Sequence, residues 1–190
     1  VIKYSHAGGS FAIIRRQDSS FKGVREAVFL ISTLRLEKNY RGEKMKGTVA
    51  GVCISEQRGT GKVNVGKGYL EKDKGLVGDA HAGTERQVSV LTLELIEKIA
   101  SEGGFSASPG DFAENITIKG IDIDEMAIGS YLRVGRAELE VVQIGKVIDE
   151  THNFNFHGKV PLATEGWFCR VVRSGWISIG DIVELVKPSK

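Results

Sequence analysis

The sequence predicts a mainly β fold, a closed or nearly closed β-barrel with one or two short helices. Three observations carry that expectation. Apolar residues recur in short runs with strand alternation, separated by turn signals at barrel-like spacing. Only one segment has a clear helical period. Glycine is abundant, 24 of 190 residues against three prolines, as a chain of many tight turns requires. Strands and helices do not alternate regularly, which argues against a doubly wound parallel sheet.

In order along the chain, Thr48 to Ile54 reads as the first strand, and Ser55 to Gly68 as a glycine-rich, lysine-bearing loop. Gly75 to Gly83 reads as a second glycine-punctuated loop, after which Gln87 to Leu91 returns to strand. The helix is expected from about Thr92 to Glu102. Thr92 is the N-cap, Leu95, Ile96, Ile99 and Ala100 form the buried stripe, and Gly103-Gly104 ends it. Phe105 to Asp111 is loop and Asn115 to Ile118 alternates as a strand. Tyr131 to Val134 and Ala137 to Val141 flank Gly135-Arg136, a two-residue hairpin signal. Phe168 to Val172 and Trp176 to Val186, the latter interrupted at Gly180-Asp181, supply the last strands.

Composition narrows the function classes. With 26 basic and 24 acidic residues the net charge is +2, too small to argue for nucleic acid. No apolar run approaches the ~18 residues of a membrane span. Two cysteines, Cys53 and Cys169, exclude a disulfide framework and a four-thiolate zinc site, and a reducing cytoplasm is the expected setting. The charge is uneven. Residues 1–44 hold nine Lys and Arg against four Asp and Glu, and no methionine. They are expected to be an N-terminal extension, non-native sequence ahead of a start at Met45, with residues 45–190 as the barrel domain. Val24, Ala27, Val28, Ile31 and Leu34 in the extension fit one amphipathic helix. A partner-docking helix and an Arg-rich targeting peptide are the alternative readings.

Gly61-Lys62 is not a phosphate loop, because Glu56 and Val63 stand where Gly and Ser or Thr are needed. What remains is a polar set in glycine-rich loops: Asp79, His81, Arg86, Gln87, Asp111, Glu114, Asn115 and Arg170. Arg86 and Arg170 stand within or beside apolar strands, and a guanidinium there needs a partner, for which carboxylate or phosphate is suited. Asn115 can donate and accept, as reading a heterocycle edge requires. Together they suggest a pocket for a phosphorylated, ring-bearing ligand. Each also has a structural reading. Arg86 would pair with Asp79 or Glu114, His81 would be a hydrogen-bonded loop histidine, and Asp111 after Pro109-Gly110 would be turn chemistry.

Six segments in order add a family resemblance. They are Gly75-Leu76-Val77-Gly78-Asp79-Ala80-His81-Ala82-Gly83, Arg86 to Leu91, Pro109-Gly110-Asp111-Phe112-Ala113-Glu114-Asn115-Ile116, Gln143-Ile144-Gly145-Lys146, Glu165 to Val171 and Gly175 to Asp181. With them, residues 45–190 resemble the MOSC family, named after the C-terminal domain of molybdenum-cofactor sulfurase, in its small stand-alone bacterial form. The resemblance implies a β-barrel that binds the molybdenum cofactor (molybdopterin) and acts in its sulfuration or its delivery to molybdoenzymes. It implies as partners a pyridoxal-phosphate cysteine desulfurase and an acceptor molybdoenzyme, with sulfur passed as a persulfide. Asp79, His81, Arg86, Gln87, Asp111, Asn115 and Arg170 are then the expected cofactor-binding residues.

The chain departs from that pattern after Gly145-Lys146. Many relatives carry a cysteine there, then a histidine, then a second cysteine. Ile148 stands at the first position, His152 about at the second, and Val160 replaces a third. Isoleucine can neither carry persulfide sulfur nor ligate molybdenum. Catalytic sulfur transfer would therefore fall to Cys169, and metal contact to His152. A non-catalytic cofactor carrier needs no thiol at all. A metal-dependent hydrolase built from Asp79, His81, Asp111 and His152 is the reading from another class.

Overall fold

In the computed structural model, residues 45–146 and 154–186 are described; the expectations for residues 1–44, Ile148 and His152 lie outside them. The strands are β1 (Met45–Ile54), β2 (Val63–Asn64), β3 (Lys67–Glu71), β4 (Gly75–Leu76), β5 (Val88–Thr92), β6 (Ile116–Lys119), β7 (Tyr131–Val134), β8 (Ala137–Ile144), β9 (Trp167–Arg173), β10 (Gly175–Ser178) and β11 (Ile182–Val186). Two short helices, α1 (Leu93–Gly103) and α2 (Pro161–Thr164), complete it, with a 3-10 turn at Ile123–Glu125.

Seven strands close a barrel in the order β1, β11, β7, β8, β9, β5, β6, with β6 returning to β1. The hairpin at Gly135-Arg136 pairs Val134 with Ala137, as its turn chemistry predicts. All these pairings are antiparallel except β5 with β6, which α1 connects as a strand–helix–strand crossover between parallel strands. Thr92 caps α1, its side chain accepting from the Leu95 amide at 3.3 Å, and Gly104 ends it in the left-handed region at φ 68°. Both ends lie where the sequence signals put them.

The glycine-rich loops contain more order than their composition suggests. β2 and the first residues of β3 lie inside the expected Ser55–Gly68 loop, and β4 opens the expected Gly75–Gly83 loop. β3 and β4 join β10 in a separate three-stranded sheet. The last apolar run thus divides at Gly180-Asp181 between two sheets, β10 with β3 and β11 with β1 and β7.

Two apolar clusters result. The barrel interior holds Val49, Val88, Val90, Ile116, Leu132, Leu139, Val141, Trp167, Cys169 and Val171 among others. A second cluster lies under α1, where Leu91, Leu95, Ile96 and Phe112 meet Phe105, Phe156 and Leu162. No helix among the described residues is long and apolar enough to cross a membrane.

Candidate anion-binding cleft

A cleft of about 120 Å³ is bordered by Gly59 and Thr60 of the β1–β2 loop, His81 of the β4–β5 loop, and Phe112 and Ala113 before β6. Ser89 and Phe168 supply its sheet floor, and Asn115, Lys146, Phe154, Leu162 and Ala163 complete it. The apolar residues under α1 set two of its walls, since Phe112 and Leu162 belong to that cluster.

Among the described residues three titratable side chains line the cleft, Arg86, Lys146 and His81, and no carboxylate does. Arg86 donates from Nε to Gln143 Oε1 at 3.1 Å, and its guanidinium carbon lies 5.4 Å from the centre of the Phe168 ring. It is exposed and forms no ion pair with Asp79 or Glu114, because both carboxylates are held elsewhere. Burial, and then the nearby Arg86 charge, push the Lys146 ammonium below the ordinary lysine value. Two cations facing one cleft with no acid among its described lining residues favour an anion there.

The Lys146 backbone is fixed by its amide, which donates to the Ala163 carbonyl at 2.9 Å. Gly145 just before it turns at φ 62°, and any side chain there would meet the Ala163 and Thr164 carbonyl oxygens at 2.9 and 3.1 Å. Only glycine carries the strand so closely past α2.

Asp79 is a structural hub behind the cleft. Its side chain is fully buried and pairs with the nearly buried Lys62. Oδ2 accepts from Lys62 and from the Ser55 amide at 3.1 Å, and Oδ1 from the His81 amide at 3.0 Å. Burial alone would raise this carboxyl. Hydrogen bonds from the His81 ring, Lys62 and the His81 amide, with the Lys62 charge, outweigh it and hold Asp79 well below the usual carboxylate range. His81 Nδ1 lies 3.2 Å from Oδ1. An ionised carboxylate only accepts, so Nδ1 carries the hydrogen and Nε2 is left for the cleft.

The remaining expected ligands are distributed differently. Gln87 is buried, and its Oε1 accepts from the Val171 amide at 3.0 Å. Asp111 accepts from the Ser108 amide at 2.7 Å, closing its own turn. Asn115 lines the cleft but is committed to the sheet. Its Oδ1 accepts from the Ser89 amide and hydroxyl, and its Nδ2 donates to the Cys53 carbonyl at 3.2 Å. Arg170 lies on the β8–β9 flank and donates to Glu140 Oε2 at 2.6 Å. Of the seven, only His81, Arg86 and Asn115 meet at the cleft.

Both cysteines are buried, and Cys169 faces the barrel interior. Burial pushes its thiol up to about 12. Burial and the Glu114 charge do the same to Cys53, against a smaller pull from Lys62. Neither is a ready thiolate. Glu114 itself is fully buried. Oε1 accepts from the Gly110 amide and the Thr117 hydroxyl, each at 2.7 Å, while Oε2 has no hydrogen-bond partner among the described residues. Burial pushes its carboxyl up, against those two hydrogen bonds. No group of three or more His, Cys, Asp or Glu able to hold a metal occurs among the described residues.

Lys146, Phe168 and the aromatic walls were not among the residues that composition or motifs marked as ligands. Lys146 was legible only as part of the Gln143-Ile144-Gly145-Lys146 segment. Phe168 is legible in sequence only as the start of a strand and part of the Glu165 to Val171 segment.

Residues 77–145 match the MOSC domain family model, a span that contains six of the seven expected ligands. The fold is similar to that of the YUAD protein from Bacillus subtilis, with a TM-score of 0.62 and 19% identity over 77% of this chain and 99% of that one. It is also similar to YiiM from Escherichia coli, at 0.56 and 25% over 77% and 72% of the two chains. YiiM from Geobacillus stearothermophilus gives 0.53 and 21% over 74% and 73%. No curated protein matches the sequence significantly. The matched segment contributes β5, β6, β7 and β8 to the closed seven-stranded barrel, and over that segment the chain is similar to the MOSC domain family.

Proposed function

We propose that the chain binds a phosphorylated pterin of the molybdenum-cofactor type in this cleft and delivers it to a molybdoenzyme. One observation carries the reading: Arg86 and Lys146 line a cleft that has aromatic walls and, among the described residues, no acid in its lining. A guanidinium and an ammonium together match a phosphate dianion. Phe112, Phe154 and Phe168 offer faces or edges to a flat heterocycle. Asn115, with its carbonyl held by Ser89, would read a ring edge through its remaining N–H alone.

The donor set suits the phosphate and ring of the cargo and supplies no soft ligand to its metal. The chain's two cysteines are both buried with raised pKa values. That favours delivery over sulfur transfer, since a persulfide carrier must expose a thiolate. Size agrees with a temporary hold. About 120 Å³ is below the ~300 Å³ of sites that enclose a ligand, so the cleft would take the phosphate end and leave the rest for an acceptor. The acceptor would be a cytoplasmic molybdoenzyme, and a cysteine desulfurase would enter only if sulfur were carried.

The test is transfer from molybdopterin-loaded donor protein to an apo-molybdoenzyme, with the full chain, Arg86→Ala and Cys169→Ser run in parallel. Delivery requires transfer by the wild type and Cys169→Ser and its loss in Arg86→Ala. Sulfuration that depends on Cys169 would replace delivery with a sulfurtransferase. No binding by the wild type would mean that this barrel takes another ligand.

A further inference from the structure

We infer that Gln143 is the positioning residue for both cations of the cleft, and that its neutral amide keeps the site selective for anions. The inference rests on the anion-binding reading above. Gln143 Oε1 accepts from Arg86 Nε at 3.1 Å, and its Nε2 donates to the Gly145 carbonyl at 2.5 Å. One side chain thus holds the guanidinium and the turn that carries Lys146.

The register of β8 explains how a residue of this phase comes to stand there. Val141 pairs with Cys169 and faces the interior, and two residues further on a regular strand would face inward again. A bulge between Val141 and Gln143 shifts the register and sets Gln143 opposite Phe168, whose ring lies beneath Arg86. An extra residue that re-aims a side chain is a common device at the edge of a site. Arg86 is then held at its Nε edge by the amide and on one face by the ring. Its two terminal nitrogens have no hydrogen-bond partner among the described residues and suit a two-point contact with a phosphate.

Neutrality is the second half of the inference. Three positions earlier on the same strand, Glu140 takes Arg170 into an ion pair. A carboxylate at position 143 would do the same to Arg86 and cancel the field that draws an anion. It would also lose the donor that holds the Gly145 carbonyl.

Calorimetric titration of the full chain with inorganic pyrophosphate at several salt concentrations tests this, using wild type, Gln143→Glu, Gln143→Leu and Arg86→Ala. Gln143→Glu is expected to bind about tenfold or more weakly, with a flatter salt dependence, because one cation is neutralised. Gln143→Leu is expected to bind a few-fold more weakly with the wild-type salt dependence, because both charges remain and only their aim is lost. Equal losses in the two variants would overturn the charge role. Gln143→Glu and Gln143→Leu both binding like wild type, while Arg86→Ala does not, would overturn the inference and leave the anion site standing. Should Gln143→Glu not fold, wild-type affinity in Gln143→Leu alone overturns the positioning role. Wild type and Arg86→Ala binding alike would overturn the anion reading itself.

Discussion

Arg86 and Arg170 are both exposed arginines set against the strands of one sheet, yet their surroundings make opposite use of the same charge. On the β7–β8–β9 flank every cation has an acid beside it: Arg170 with Glu140 at 2.6 Å, Arg133 and Arg173 with Glu138 at 3.4 and 3.5 Å. Hydrogen bonding to Glu140 and its charge raise the Arg170 pKa, which marks a satisfied cation. Around the cleft, two described acids that might have compensated are committed elsewhere, Asp79 to Lys62 and His81 and Glu114 to Gly110 and Thr117. The difference teaches that an arginine beside a sheet is spent where a carboxylate faces it and is a candidate for a ligand where, among the described residues, none does. The identity of the residue alone does not decide it.

The largest expected effect breaks that comparison directly. Arg86→Ala should weaken pyrophosphate binding about tenfold or more, as loss of a charged hydrogen-bonding group does, while Arg170→Ala leaves affinity unchanged in the same titration. Equal effects in both would erase the distinction. Next comes the stability of the hub that keeps Asp79 away from Arg86. Asp79→Leu leaves Lys62 buried without its partner and should cost about 3 kcal/mol in urea unfolding, an effect Glu140→Leu on the exposed flank should not reproduce.

A smaller effect separates the two cations of the cleft. The Lys146 pKa is lowered, so its share of anion affinity is full at lower pH and falls as pH rises through that value, earlier than for an ordinary lysine. Affinity measured against pH in Lys146→Met should lose this fall while the Arg86 contribution persists. The smallest concerns Glu114. Its folded-state pKa is raised, so its contribution to stability is full below the unfolded value near 4.5 and is lost as pH rises through the folded one. Glu114→Gln should flatten that decline, by about 1–3 kcal/mol on its alkaline side. A parallel pH dependence of the urea midpoints in both proteins would remove the orphaned Oε2 as its cause.

How much of this was legible beforehand differs by element. α1 was readable to its caps because Thr92 and Gly104 act locally, on backbone groups within one turn. The 134–137 hairpin was readable for the same reason. β2 and β4 were not, since two-residue strands have no period and exist only because β1 and β3 lie beside them. Among site residues, Arg86 was recognisable by its chemistry. Gln87 and Asp111 carried the same kind of signal and turned out to bond to neighbouring backbone.

By itself the sequence determined the β-rich class, the helix and its ends, the resemblance to the MOSC family, and the presence of just two thiols. Those follow from local patterning and composition. Only the tertiary structure decided which polar groups meet. Strand alternation turned Cys169 inward, a bulge placed Gln143 opposite Phe168, and the Lys62–Asp79 pair committed one acid behind the cleft. The physical reason is common to all three. Whether a charge is spent or available depends on partners far along the chain, and no local signal encodes them.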